Sequence, residues 1–268
     1  GTAAGTVMVK DINAGPADGM GQAIPALFNN KLYFSGITSA EGAEPWISDG
    51  TSDGTILLRD LVPGSDYPGF IEFTTDHDGW LYFFSSPVKD FGTEEIVVDL
   101  WKTDGSSAST QKLKSLERCI SCTYVEDYRV YKDKLYFFLH ESWGEEILWS
   151  TDGTESGTTE VFSMPSFGTL PFFEELNGHL LFFSASGSIA TPFYRSDGTA
   201  SGTEIFHTFK SAGTDGTSNI EELPIVRIGD LIYFSDHDGP ANNGYAENQD
   251  DQLQLMRSDG HVVQSIRS

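Results

Sequence analysis

The chain has 268 residues, of which 38% are hydrophobic and 13% aromatic, enough to pack a large interior. Forty acidic against sixteen basic residues give a net charge of −24. That balance argues against nucleic acid and anionic membrane surfaces as partners, because both need a positive footprint, and no apolar run nears the roughly 18 residues of a membrane span.

The first residues, Gly1-Thr2-Ala3-Ala4-Gly5-Thr6, match the back half of a motif that returns later, which reads as a trimmed product of a longer chain. Residues 6–12, Thr-Val-Met-Val-Lys-Asp-Ile, read as a strand. The motif itself appears as PWISDGTSDGT at 45–55, LWKTDGSSAST at 100–110, LWSTDGTESGT at 148–158, FYRSDGTASGT at 193–203 and the shorter LMRSDGH at 255–261. In each copy an apolar strand end runs into Asp-Gly, whose glycine supplies the positive φ of a tight turn, and the return strand follows.

A second marker keeps the same period. Leu32-Tyr33-Phe34 is echoed by Leu81-Tyr82-Phe83, Leu135-Tyr136-Phe137, Leu180-Leu181-Phe182 and Leu231-Ile232-Tyr233, with leading leucines 49, 54, 45 and 51 residues apart. Helical periodicity is hard to find. A repeat near fifty residues made of short strands predicts an all-β fold, a five-bladed β-propeller of four-stranded blades. The units fall at about 13–61, 62–117, 118–164, 165–209 and 210–268 in a single domain. Five blades need five fourth strands and the chain offers six. The N-terminal strand is therefore expected to join the last blade and close the ring, with the carboxyl strand at 261–266 either outside it or in that place itself.

Glu146-Ile147-Leu148-Trp149, Asp152-Gly153-Thr154 and Gly157-Thr158, together with Val9-Lys10-Asp11-Ile12, carry a family resemblance. The chain resembles the bacterial ELWxxDGT repeat family over nearly its whole length. The resemblance implies a secreted or surface protein of propeller kind and supplies no catalytic residues. The third-strand aromatic drifts from Trp46, Trp101 and Trp149 to Tyr194 and then Met256, and the second copy has Ser109-Thr110 in place of Gly-Thr.

Few residues point to chemistry. The corner aspartates read as turn formers that bond nearby amides; a Ca²⁺ site would need six to eight oxygens in a tighter pattern than any copy shows. Cys119 and Cys122 form a lone CxxC, without the further ligands of a zinc site, and read as a small local disulfide of a secreted protein. Counting back nine residues from the marker leucines gives Glu72, Glu126 and Glu222, with Ala23 and Pro171 in the other two units. Where first strands line a channel, these three carboxylates are candidates for glycan-cleaving acid–base work or for holding a cation such as Ca²⁺. Satisfied or solvated carboxylates are the plainer alternative. The repeated aromatics read as core, with sugar stacking as the rival. The loop residues Tyr67, Phe91, Trp143 and Tyr245, with Asn242 and Asn243, are candidates for ligand contact. The leading expectation is a secreted, non-enzymatic module that recognises carbohydrate or another cell-surface ligand. A glycan-cleaving enzyme and a divalent-cation-dependent adhesive or matrix module are the alternatives.

Overall fold

The computed structural model describes residues 2–15, 17–21, 23–64, 70–86, 96–119, 125–141, 144–165, 172–183, 190–210, 225–237 and 253–266. Its strands form five four-stranded antiparallel sheets, each built from consecutive strands. The first holds β1 (Ala26–Phe28), β2 (Lys31–Thr38), β3 (Gly42–Ser48) and β4 (Ile56–Leu57). The second holds β5 (Phe70–His77), β6 (Trp80–Ser86), β7 (Ile96–Thr103) and β8 (Gln111–Cys119). The third holds β9 (Val125–Tyr131), β10 (Lys134–Glu141), β11 (Glu145–Thr151) and β12 (Thr159–Pro165). The fourth holds β13 (Phe172–Leu176), β14 (His179–Phe183), β15 (Ala190–Ser196) and β16 (Thr203–Lys210). The fifth holds β17 (Val226–Ile228), β18 (Leu231–His237), β19 (Leu253–Ser258) and β20 (Val263–Ser265).

The chain divides into two compact units, residues 1–123 with 153–158, and residues 124–152 with 159–268. In both, the first hairpin of each sheet turns on two residues. Asn29 and Asn30, Asp78 and Gly79, Lys132 and Asp133, and Asn177 and Gly178 all take positive φ, between 46° and 81°. Two consecutive left-handed residues match the right-handed twist of the flanking strands, which is why Asn, Asp and Gly dominate these positions.

The first unit buries Tyr33, Ile47 and Leu58 of the first sheet's run against Ile71, Phe73, Leu81, Phe83 and Trp101 of the second. Phe83 and Trp101 stack at 6.1 Å, and Phe73 meets Phe83 at 5.3 Å. The second unit repeats the scheme, with Tyr136, Phe138 and Leu148 packed on Phe173, Leu180, Phe182 and Tyr194. A further cluster gathers Phe183, Phe193 and Phe209 with Ile232 and Phe234. Each buried ring removes roughly 150–250 Å² from water, so these aromatic layers dominate the packing energy.

Two features of the sequence reading are corrected. Residues 6–12 form no strand: the fifth sheet's fourth position is filled by β20, paired through Met256↔Ser265, Arg257↔Gln264 and Ser258↔Val263. The N-terminal segment is instead tied to the first sheet, where Lys10 Nζ donates to the Thr55 carbonyl at 2.7 Å. The fourth strand of the first sheet is two residues long, and just beyond it Leu58 N still donates to Pro45 O on β3 at 2.9 Å. The fifth marker leucine also shifts by one. Leu32, Leu81, Leu135 and Leu180 pair with the hydroxyl residue before each Asp-Gly, and in the fifth sheet that partner of Ser258 is Ile232. Two adjacent aliphatics made the frame ambiguous in sequence.

Candidate functional site

The Asp-Gly-Thr corners supply most of the chain's repeated polar residues. In the first corner Asp49 Oδ1 accepts from Thr51 N at 2.9 Å and Thr51 Oγ1 at 2.7 Å. Thr51 Oγ1 accepts from Gly54 N at 2.9 Å, and Thr55 Oγ1 donates to Thr51 O at 2.7 Å. Ser48 Oγ, just before the aspartate, accepts from Gly50 N and meets Thr55 Oγ1 at 2.7 Å. The fourth corner repeats every one of these bonds with Ser196, Asp197, Thr199, Gly202 and Thr203. In the second, Ser106 and Ser109 replace Thr and Gly and supply their own hydroxyls. In the fifth, Asp259 accepts from His261 N and Val262 N.

Accepting several bonds favours the ionised carboxylate. The Thr51 hydroxyl holds Asp49 below the usual range, Ser109 does so for Asp104, Thr199 for Asp197, and the His261 amide for Asp259. The aspartates at these corners therefore act on their own turns, as read from sequence. The second closing threonine, Thr110, is fully buried between Thr103 Oγ1 and Ser106 O, each at 2.8 Å. Thr110→Val keeps the shape and strands those partners, so it is expected to cost about 2 kcal/mol in urea unfolding. Unchanged stability would show that the hydroxyl pair contributes nothing.

Three of the four repeated aromatics are core, and the fourth, Trp149, is half-buried. Trp46, Trp101 and Tyr194 are buried, and Trp101 Nε1 donates to Ser85 Oγ at 2.9 Å, so these rings offer no open face for a sugar. The tyrosine of the Leu-Tyr-Phe run has a role the sequence reading missed. Within the first unit, the hydroxyls of Tyr33 and Tyr82 lie against the corner glycines Gly105 and Gly153. Within the second, Tyr136 Oη donates to Gly198 O at 3.2 Å. Basic residues reinforce the contact: Lys102 Nζ reaches Gly153 O at 2.7 Å, and Arg195 Nη1 reaches Gly260 O at 3.2 Å. The available signal was a tyrosine recurring where phenylalanine would fill the same volume.

The first-strand carboxylates remain as candidates for function. In the first unit Glu72, on β5 opposite Phe84, is mostly buried, and burial pushes its carboxyl from the usual 4.5 to about 7. In the second unit Arg129 on β9 joins two acids. Its Nη1 lies 2.6 Å from Asp127 Oδ1 and its Nη2 lies 3.2 Å from Glu174 Oε1 on β13. All three side chains keep about a third of their surface exposed (31%, 31% and 36%), and the guanidinium stands 5.7 Å from the Phe173 ring. Burial raises the Asp127 carboxyl and Arg129 offsets part of that.

The equal count is kept between the second and third sheets and is lost in the fourth and fifth. Glu72 faces Phe84, but the matching Phe183 faces Phe172, so the fourth sheet has an aromatic in that place. In the third sheet β9 carries one extra residue opposite the step from Phe137 to Leu139, as β5 does between Phe73 and Asp76, so Val125↔Leu139 keeps the register of Ile71↔Ser85. With Ile232 as the true fifth marker, nine residues back is Leu223 and not Glu222. The Glu126 side chain and all of Glu222 lie outside the described residues, as do Tyr67, Phe91, Trp143, Asn242, Asn243, Tyr245, Cys122 and the Cys119 side chain. The sequence-assigned ligand loops and the disulfide are therefore not in view. Among the described residues no three His, Cys, Asp or Glu side chains group as metal ligands, and no helix is long and apolar enough to cross a membrane.

Four buried acids were not candidates from sequence, and one of them, Asp99, accepts from Ser115 Oγ at 2.6 Å and Lys112 Nζ at 3.2 Å. Glu44 accepts from Leu61 N at 2.8 Å and Val62 N at 3.1 Å. Glu146 meets His140 Nδ1 at 2.6 Å, and Asp236 meets His207 Nε2 at 2.7 Å.

No protein-family model matches the chain, and no curated protein matches it. Among solved structures it is similar to puromycin hydrolase, at 14% identity and a TM-score of 0.47 over 89% of this chain and 36% of that one. It is similar to the β-propeller domain of the Trilobed protease from Pyrococcus furiosus, at 10% identity and a TM-score of 0.42 over 74% of this chain and 58% of that one. An exo-β-1,3-galactanase from Clostridium thermocellum gives 12% identity and a TM-score of 0.39 over 90% and 60%. The chain thus spans about a third of the hydrolase and under two thirds of the other two. Likeness at this level assigns no activity to this chain.

Proposed function

We propose that the chain is a secreted, propeller-type recognition module of the ELWxxDGT repeat kind, which binds carbohydrate or another surface ligand without turning it over. The observation that carries the reading is the Asp127–Arg129–Glu174 set beside Phe173. A guanidinium fork flanked by two carboxylates offers planar donors and acceptors at the spacing of neighbouring hydroxyls, and each group keeps a solvent-facing side. Both acids are tied to one cation, which suits them to accepting hydrogen bonds and not to the paired protonated and ionised roles of glycoside hydrolysis.

The test is a glycan-array screen of the chain, with and without Ca²⁺, followed by calorimetry on any hit. Arg129→Ala is expected to weaken binding at least about tenfold, equivalent to roughly 1.4 kcal/mol, while circular dichroism stays unchanged. Binding that ignores Arg129→Ala removes this site. Loss of binding on chelation would instead support the cation-dependent reading.

A second reading rests on Glu72. A carboxyl held near pH 7 by burial has the property that a general acid needs. If the chain cleaves glycans through Glu72, Glu72→Gln abolishes product release from a positive substrate. If it only binds, Glu72→Gln leaves the calorimetric affinity unchanged.

A further inference from the structure

Inside the second unit the fifth corner is seated on the fourth sheet, and two histidines meet at that seat. Asn177 Nδ2 donates to Asp230 O at 3.1 Å and to Asp259 O at 2.9 Å. Arg195 Nη1 donates to Gly260 O at 3.2 Å and reaches His261 O at 3.5 Å, while Gly260 lies against Leu176 and Leu181. Beside these bonds the rings of His179 and His261 meet edge to face, with centroids 4.9 Å apart and planes at 89°. Neither residue follows the repeat. Thr51, Ser106, Thr154 and Thr199 stand where the fifth corner has His261. Lys31, Trp80 and Lys134 stand where the fourth sheet has His179. His261 therefore lacks the hydroxyl that ties Thr51 and Thr199 to their own aspartates, and its ring packs on the neighbouring sheet instead.

The surroundings of the pair oppose a proton. His179 Nδ1 is sealed from water and has no hydrogen-bond partner among the described residues. A protonated ring would bury an N–H there without an acceptor. Cations approach from every side: Arg195 on its own sheet, Lys132 on the third sheet, whose Nζ donates to Asp197 O at 3.1 Å, and Arg227 on the fifth, whose Nη1 donates to Glu175 O at 2.7 Å. The carboxylates nearby serve their own turns. Asp259 accepts from His261 N and Val262 N, Asp197 from Thr199 N and Oγ1, and Glu175 from Gly178 N. Asp197 and Asp259 offset only part of the repulsion, and burial, followed by His261 and Arg195, holds His179 below its usual range.

We propose that the His179–His261 pair is an acid-sensitive latch: with both rings neutral it holds the fifth corner on the fourth sheet, and a proton taken up in mild acid frees that corner. Because seated His179 binds a proton less readily than freed His179, the latch is complete above the ordinary 6.5 and weakens as pH falls below it. A buried carboxyl such as Glu44, raised by burial, acts on global stability with the opposite sign, so the readout has to be local.

Amide hydrogen exchange of the full chain by NMR, at about pH 7.5 and about pH 5 and corrected for the intrinsic pH dependence of exchange, tests the latch. The probe is Gly260 N, which donates to Ser258 Oγ in the fifth corner; the reference is Gly198 N, which donates to Ser196 Oγ in the fourth. Opening at Gly260 relative to Gly198 is expected to rise about tenfold between the two pH values. His261→Thr, which restores the residue of the other corners, and His179→Gln are each expected to cut that rise below about threefold. A wild-type ratio that ignores pH overturns the proposal, as does a full rise that survives in both variants. Where a variant loosens the corner at both pH values, the wild-type rings decide. Opening that follows the His179 side-chain NMR titration supports the latch, and opening that follows any other group overturns it.

Discussion

Gly198→Ala is expected to destabilise the protein by about 3 kcal/mol, and Gly178→Ala by about 1 kcal/mol, although both glycines have positive φ. At Gly198 φ is +92°, and an added Cβ would sit 2.3 Å from the Tyr136 hydroxyl and 3.0 Å from its ring carbon. Left-handed strain and steric overlap therefore add. At Gly178 φ is +81°, but nothing lies within 4 Å of the Cβ position, so strain acts alone. Chemical denaturation of both variants separates the two costs. Tyr136→Phe in the Gly198→Ala background removes the clashing oxygen and should recover part of the loss, at the expense of the bond from Tyr136 to Gly198 O. If the two glycine variants lose equal stability, tyrosine-to-corner packing does not hold consecutive sheets together.

The strands were legible because their signals are local. Asn29-Asn30 or Asp78-Gly79 fixes a hairpin within four residues, and Asp-Gly fixes a corner within six, so sheet count and strand order followed from spacing alone. What failed depended on register. Leu231 and Ile232 are interchangeable by hydropathy, and only the pairing with Ser258 selects the second. The count from the marker leucines assumed one pattern for every first strand, whereas β5 and β9 each carry one extra residue and β13 carries none. Residues 6–12 have good strand composition, but composition cannot report that β20 already fills the edge. Glu44 was invisible for a different reason: its partner amides are 17 and 18 residues away, and 40 acids in one sequence give no clue to which is buried. The hydroxyl residue before the Asp-Gly of all five motif copies (Ser48, Thr103, Thr151, Ser196, Ser258) was legible in principle, because no copy replaces it with an apolar residue.

Glu44 and Glu72 together predict that stability falls as pH rises from acid to neutral, the reverse of an ion-paired carboxylate. Burial raises both carboxyls from 4.5 to about 7 in the fold. Between those values the folded chain binds more protons than the unfolded chain, so the slope of unfolding free energy against pH is negative. The contribution is complete below the unfolded value and is lost as pH climbs through about 7. For Glu44, 1% exposed, the loss is at most about 3 kcal/mol. Glu72 is better hydrated and adds less. Self-repulsion of a chain carrying −24 acts in the same direction, so the wild-type slope alone does not isolate the site. Glu44→Gln does. It keeps an oxygen for the Leu61 amide, sets its own N–H group against the Val62 amide, and removes the titration. The variant should therefore be the less stable chain near pH 5, by about 1 kcal/mol, and close the gap or overtake the wild type near pH 8. Urea midpoints at the two pH values decide the matter: parallel lines for variant and wild type would mean that Glu44 is ionised in its buried seat and that the Leu61 and Val62 amides outweigh its desolvation.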